Sequence, residues 1–137
     1  MDRLPPVVPL LVYRDIERAQ EFLVRAFGFE PGLLERAETG EAVHGEVHVG
    51  GQVIWLHRVW NEEGWVSPAS SADTTDELVV RVDDVDAHCE RARAQGAEIE
   101  YGPDDQPYGV REYGARDLER RRWAFVTPLT QSLPGGP

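Results

Sequence analysis

The chain has 137 residues, a net charge of -11 and 41% apolar residues. That suffices for one globular domain, or two half-domains sharing a core, without disulfides or a structural metal. The acidity, with a pI near 4.7, argues against nucleic acid or an anionic membrane as partner, and is compatible with solubility or with attraction of a cationic ligand. Cys89 is the only cysteine, which excludes a disulfide framework and a thiolate zinc site.

Met1 to Pro6 carries no long apolar run, so neither a signal peptide nor a membrane span is expected, and a cytoplasmic setting is the default. Val7–Tyr13 is a short run of β-formers ending at Arg14-Asp15. Asp15 is a good N-cap, after which Ile16, Ala19, Phe22, Leu23, Ala26 and Phe27 recur with helical spacing until Gly28 stops the helix. Three strand-like stretches follow, at about Phe29–Glu38, Glu41–Val49 and Gln52–Trp60, the last two joined by the hairpin signal Gly50-Gly51. Residues 61–76 are polar and carry Pro68, which reads as a linker.

The pattern then restarts. Leu78–Val82 is apolar, Asp83 and Asp84 are alternative N-caps, and Val85, Cys89 and Ala92 share one helical stripe that ends at Gly96. On that stripe Cys89 reads as a buried small hydrophobe. Strands near Ala97–Tyr101, Val110–Asp117 and Arg122–Thr127 complete the second unit. A shift of 69 residues lays Asp15 on Asp84, Leu11 on Val80 and Leu10 on Val79. The pattern predicts an α+β fold of two βαβββ modules, residues 1–60 and 77–128, with a linker at 61–76 and a flexible tail at 129–137.

Pairing Val49 with Gln52 across the two-residue turn sets the hairpin register. His44 then faces His57, Glu46 faces Trp55 and His48 faces Val53, and all five of these polar and aromatic side chains fall on one face. Val43, Val47, Val49, Ile54 and Leu56 fall on the other, which suits packing on a helix. The same parity in the fifth strand puts Glu77, Val79 and Arg81 together, and Leu78, Val80 and Val82 toward the helix. Glu77 and Arg81 read as an ordinary salt bridge or as charges offered to a ligand.

Two stretches carry a family resemblance. "LVYRDIERAQEFLVRAFGFEPG" (residues 11–32) looks like a first strand and helix, and "DQPYGVREYGARDLERRRWAF" (residues 105–125) like a signature of Pro107-Tyr108-Gly109, Arg111-Glu112-Tyr113 and Arg116-Asp117. With the doubled module, the chain resembles the vicinal oxygen chelate superfamily (glyoxalase, bleomycin-resistance protein, dioxygenase), nearest its bleomycin-resistance-like, metal-free branch. The resemblance implies cupped mixed sheets with helices on the outside. The family usually continues Asp-Pro-x-Gly, whereas this chain has Asp117-Leu118-Glu119-Arg120. Either the turn is rebuilt, or Arg120 takes a positive φ at about 1 kcal/mol or more.

Metal-dependent members hold a divalent ion inside the cup. Carried over, their ligand positions fall on Val8, Trp55, Glu77 and Ala124, three of which cannot coordinate, so no cofactor is expected. A cluster of His44, Glu46 and His57 is the alternative ligand set, against a plain polar pocket wall. The resemblance places Trp55 in the cup, and His44, Glu46, His48 and His57 with it. Trp60 and Trp65 read as a stacking surface or as buried dimer interface. Tyr108 and Tyr113 sit where the family places aromatics, while Trp123 and Phe125, opposite in parity to Ala124, are expected under the helices. The leading expectation is a homodimer that sequesters a small aromatic, cationic molecule without metal. The alternative is a lyase, isomerase or dioxygenase acting at His44, Glu46 and His57, with or without a divalent metal.

Overall fold

The computed structural model describes residues 4–71 and 76–129. The first unit runs β1 (Leu10–Tyr13), α1 (Ile16–Phe27), β2 (Glu30–Arg36), β3 (Ala42–Val49) and β4 (Gln52–Arg58). The second runs β5 (Leu78–Arg81), α2 (Val85–Ala94), β6 (Glu98–Asp105), β7 (Val110–Arg116) and β8 (Arg122–Pro128). Each forms a mixed four-stranded sheet, ordered β1-β4-β3-β2 and β5-β8-β7-β6, with the first strand parallel to its neighbour and the others antiparallel. This is the α+β, doubled βαβββ architecture that the pattern predicts. The repeat extends to register: Leu10 pairs with Trp55, and the residues 69 positions on, Val79 and Ala124, pair in the second sheet. The first two strands are shorter than expected, β1 beginning at Leu10 and β2 running Glu30–Arg36, and the sixth is longer. β6 continues past Tyr101 to Asp105 through register shifts on both sides of Tyr101.

Local chemistry sets the helix limits. The Asp15 carboxylate accepts the Arg18 N–H at 3.0 Å, and Asp84, the cap used of the two candidates, accepts from Ala87 at 3.1 Å. Gly28 ends α1 at φ 77, a left-handed position that favours glycine. Arg91 of α2 then donates to the Arg25 and Val24 carbonyls at the end of α1, so one helix caps the other. Gln20, buried midway along α1, donates to the carbonyls of Gly32, Leu33 and Glu46 and ties the helix to the irregular β2–β3 edge.

Each helix lies on the back of its own sheet, and the two backs meet in a single core. Phe27 at the end of α1 is 4.7 Å from Phe125, and Phe29 is 5.4 Å from Trp123, between ring centroids. Cys89 is buried in the same cluster, where desolvation pushes its thiol up. The β7–β8 turn seals the joint between units. Asp117 accepts from the Tyr13 hydroxyl at 2.6 Å, the Trp123 indole at 3.0 Å, and the Glu119 and Arg121 N–H groups, each at 3.0 Å. Glu119 accepts from the Arg14 and Asp15 N–H groups and from the Ser67 hydroxyl, at 2.7, 2.9 and 2.5 Å. Arg121 donates to the Val12 carbonyl and lies 5.1 Å from the Tyr13 ring centre. Within this turn Arg120 takes the left-handed conformation at φ 69, the second of the two alternatives. Its N–H closes the turn onto the Asp117 carbonyl.

Candidate ligand-binding site

The open face of the first sheet follows from its hairpin. Val49 pairs with Gln52 across Gly50-Gly51, and His48–Val53, Glu46–Trp55 and His44–His57 follow in the predicted register. Gly45, Val47, Ile54 and Leu56 are buried on the helix side. Gly45 is small for a reason: a Cβ there would stand 2.8 Å from Ile16 Cγ2. On the opposite side His44, Glu46, His48, Trp55 and His57 are all part-exposed. His44 Nε2 is 3.3 Å from one Glu46 oxygen, and His48 Nε2 is 4.0 Å from the other.

An aromatic surface grows out of this face. His44 meets Trp55 edge-on at 5.7 Å, and His57 tilts against Trp65 at 4.8 Å. Trp60 and Trp65 pair through two backbone hydrogen bonds of 2.9 and 3.1 Å around the 3-10 turn Asn61–Glu63. That pairing holds two indoles at the end of the sheet, 44% and 36% exposed. Large aromatic side chains held rigidly and left open to solvent are what a stacking surface requires.

The second sheet offers a different face. Val79 is 62% exposed while Val80 is buried, and Glu77 and Arg81 are exposed on the Val79 side. Tyr108, on the β6–β7 turn, donates to one Glu112 oxygen at 2.6 Å, and Tyr101 donates to the other. Burial, then the bond to Glu112, holds the Tyr101 phenol well above its usual range, and the Glu112 bond itself pushes Tyr108 up.

Tyr113 requires a correction. Expected, like Tyr108, among the ligand-binding residues, it is fully buried on the opposite side, stacked 5.2 Å from Phe125, with its hydroxyl 2.6 Å from His88 Nδ1. The reason is alternation: Tyr113 pairs with Phe125, which lies under the helices, whereas Gly114 pairs with Ala124. The same parity turns Glu112 outward. Glu112 and Tyr101 are thus two residues of this face that sequence reasoning missed. Extending the alternation from Ala124 across β7 would have found Glu112, which holds in the second sheet the place of His44 in the first.

Trp55 and Ala124 do occupy equivalent register positions, opposite Leu10 and Val79. Neither they nor Val8 carry a side-chain metal donor, and of the four metal-ligand positions only Glu77 does. His57 Nδ1 lies 2.7 Å from the Arg58 carbonyl oxygen. Among the described residues no group of three His, Cys, Asp or Glu side chains is placed to hold a metal ion. The four carried-over positions, with a single carboxylate among them, do not by themselves make up a divalent-ion site.

A family model, "Glyoxalase/Bleomycin resistance protein/Dioxygenase superfamily", matches residues 3–125. TioX from Micromonospora sp. ML1 is similar at 34% identity over 92% of this chain and 98% of that one, with a TM-score of 0.71. TnmS3, an antibiotic binding protein from Streptomyces sp. CB03234, shares the fold at 23% identity, covering 93% and 97% of the two chains, with a TM-score of 0.65. So does FosX, a fosfomycin resistance protein from Listeria monocytogenes solved with Mn(II), at 16% identity, 92% and 90% coverage and a TM-score of 0.67. No curated protein matches this chain. With a family model spanning nearly the whole chain and the doubled βαβββ fold in place, the protein belongs to the glyoxalase/bleomycin resistance protein/dioxygenase superfamily.

Proposed function

We propose that the protein binds a flat, aromatic, positively charged small molecule and holds it unchanged, a sequestering role that uses no metal. The observation that carries this reading is the ring surface of His44, Trp55, His57 and Trp65, locked by the Trp60–Trp65 bridge and open to solvent. Its floor is polar through Glu46 and His48, while two of the positions equivalent to a metal cage hold an indole and a methyl group. The net charge of -11 favours encounter with a cation. TnmS3, an antibiotic binding protein, shares the fold.

The protein acts as a homodimer in this reading, in the cytoplasm. Each sheet presents one open face, with its helix packed on the other. Between the units, β1 and β5 are both sheet edges and flank a cleft of about 490 Å³ lined by Val7, Pro9, Ile54, Leu78 and Val79. A second copy covers such edges and sets a first-unit face opposite a second-unit face.

The test uses two three-ring probes, the cation proflavine and the uncharged acridone. Replacing Trp55 by Ala removes one stacking partner, worth about 1–3 kcal/mol, so both probes bind roughly five- to hundred-fold more weakly at nearly unchanged Tm. Undiminished affinity with a collapsed Tm would make Trp55 a structural residue and overturn the reading.

A further inference from the structure

We infer that Glu112, framed by Tyr101 and Tyr108, is a docking point for an organic cation, an ammonium, amidinium or guanidinium group carried by the bound molecule. The inference rests on the reading of the open faces as a ligand site and names the group that the second sheet recognises.

Glu112 is 7% exposed and points to the open face. A carboxylate shielded from water offers its free oxygens most favourably to a partner that carries positive charge. The arginines around it are engaged elsewhere. Arg111 pairs with Asp86 at 3.1 Å and Asp105 at 3.0 Å. Arg116 and Arg122 both hold Glu100, at 2.7 and 3.1 Å, and Arg120 holds Glu98 at 2.9 Å. Arg121 donates to the Val12 carbonyl. Arg81 shares the open face across Val126; two strand spacings put it about 10 Å away by backbone, and its side chain is exposed. What Glu112 receives is two phenol O–H groups. Two donors leave about half of a carboxylate's acceptor positions open.

The surroundings are shaped around those phenols. The Tyr101 ring lies over Gly114, where a Cβ would overlap it, and Gly102, at φ 79, packs against the Glu112 carbonyl, where a Cβ would collide. Glycine at these two places lets Tyr101 reach Glu112. The register shifts on either side of Tyr101 belong to the same device. A cation at Glu112 gains a charge-assisted hydrogen bond that a neutral ligand lacks. Glu77, whose charge acts on both phenols, adds to the negative field.

Proflavine and acridone titrations at neutral pH, followed by fluorescence anisotropy, test this. Glu112→Gln keeps an acceptor for the phenols but removes the charge, and is expected to weaken proflavine about tenfold or more while leaving acridone within about twofold. Tyr101→Phe keeps the ring and frees one Glu112 oxygen, so proflavine binds as tightly or more tightly. Trp55→Ala weakens both probes. If wild type binds both probes and Glu112→Gln changes neither, or changes both equally, the cation site is refuted and the stacking surface stands. If Glu112→Gln fails to fold, a tenfold loss of proflavine in Tyr101→Phe refutes the site by itself. If wild type binds neither probe at millimolar concentration, the ligand reading falls and the cation site with it.

Discussion

Replacing Asp117 with Ala should strip the joint between the two units of its acceptor. Two of its four donors, the Tyr13 hydroxyl and the Trp123 indole N–H, belong to fully buried side chains with no route to water. Leaving a buried donor unpaired costs about 1–3 kcal/mol, so the pair costs about 2–6 kcal/mol. The Glu119 and Arg121 N–H groups lose the same acceptor and add to the loss. One contribution runs the other way. Burial raises the Asp117 carboxyl above its ordinary value against those four donors, so the carboxylate itself is held at a cost that its removal relieves. Taken at the middle of that range, the net loss is about 4 kcal/mol, a large share of the roughly 5–15 kcal/mol that stabilises a domain. At about 3 °C per kcal/mol for a chain of this size, Tm falls by roughly 10 °C. Urea unfolding followed by near-ultraviolet circular dichroism, with calorimetry at fixed protein concentration, measures both quantities. Asp117→Asn should lie between the two, because its amide can keep one acceptor for the turn but opposes the indole N–H. A loss below about 1 kcal/mol with an unchanged slope would refute the idea that this carboxylate holds the units together.

The remaining expectations concern pH and assembly. His88 links the units, with Nε2 2.7 Å from the Phe27 carbonyl and Nδ1 2.6 Å from the Tyr113 hydroxyl, and burial lowers its pKa below the ordinary imidazole value. The unfolded chain therefore takes up this proton first as pH falls. Stability is full above about pH 6.5 and declines as pH drops through that value toward the lower folded one, by less than the one-proton ceiling of about 1.4 kcal/mol per pH unit. Denaturation between pH 8 and 5 should show this slope, and His88→Gln should flatten it; an identical slope in both proteins would assign it to other groups. Light scattering at micromolar concentration should give the mass of a dimer, and a monomer there would contradict the covering of the β1 and β5 edges by a second copy.

Much of the candidate surface was legible before any coordinates, because it depends on short-range rules. Gly50-Gly51 fixes a two-residue turn, the turn fixes register, and period-two alternation then assigns faces, so His44, Glu46, His48, Trp55 and His57 fall together without tertiary information. Trp60 and Trp65 were singled out by their proximity in sequence, but their mutual bridge was not visible there, since it needs the 3-10 turn between them. The Pro107–Tyr113 motif groups Tyr113 with Tyr108, whereas strand alternation buries Tyr113 and turns Glu112 outward.

What the sequence by itself determined is what neighbouring residues decide among themselves: the doubled βαβββ order, the caps at Asp15, Asp84 and Gly28, and the two faces of the β3–β4 hairpin. What only the tertiary structure decided is how the halves join and what each face then lacks. Tyr13 and Asp117 are 104 positions apart, and Phe27 reaches His88 and Phe125 from the other unit. No periodicity or turn rule encodes such pairs; they form because buried donors must find acceptors and apolar ends must find cover. The same requirement bent β6 around Tyr101, placed Arg120 at a positive φ to close the turn over Asp117, and left Glu112 buried beside two phenols with no cation among the described residues.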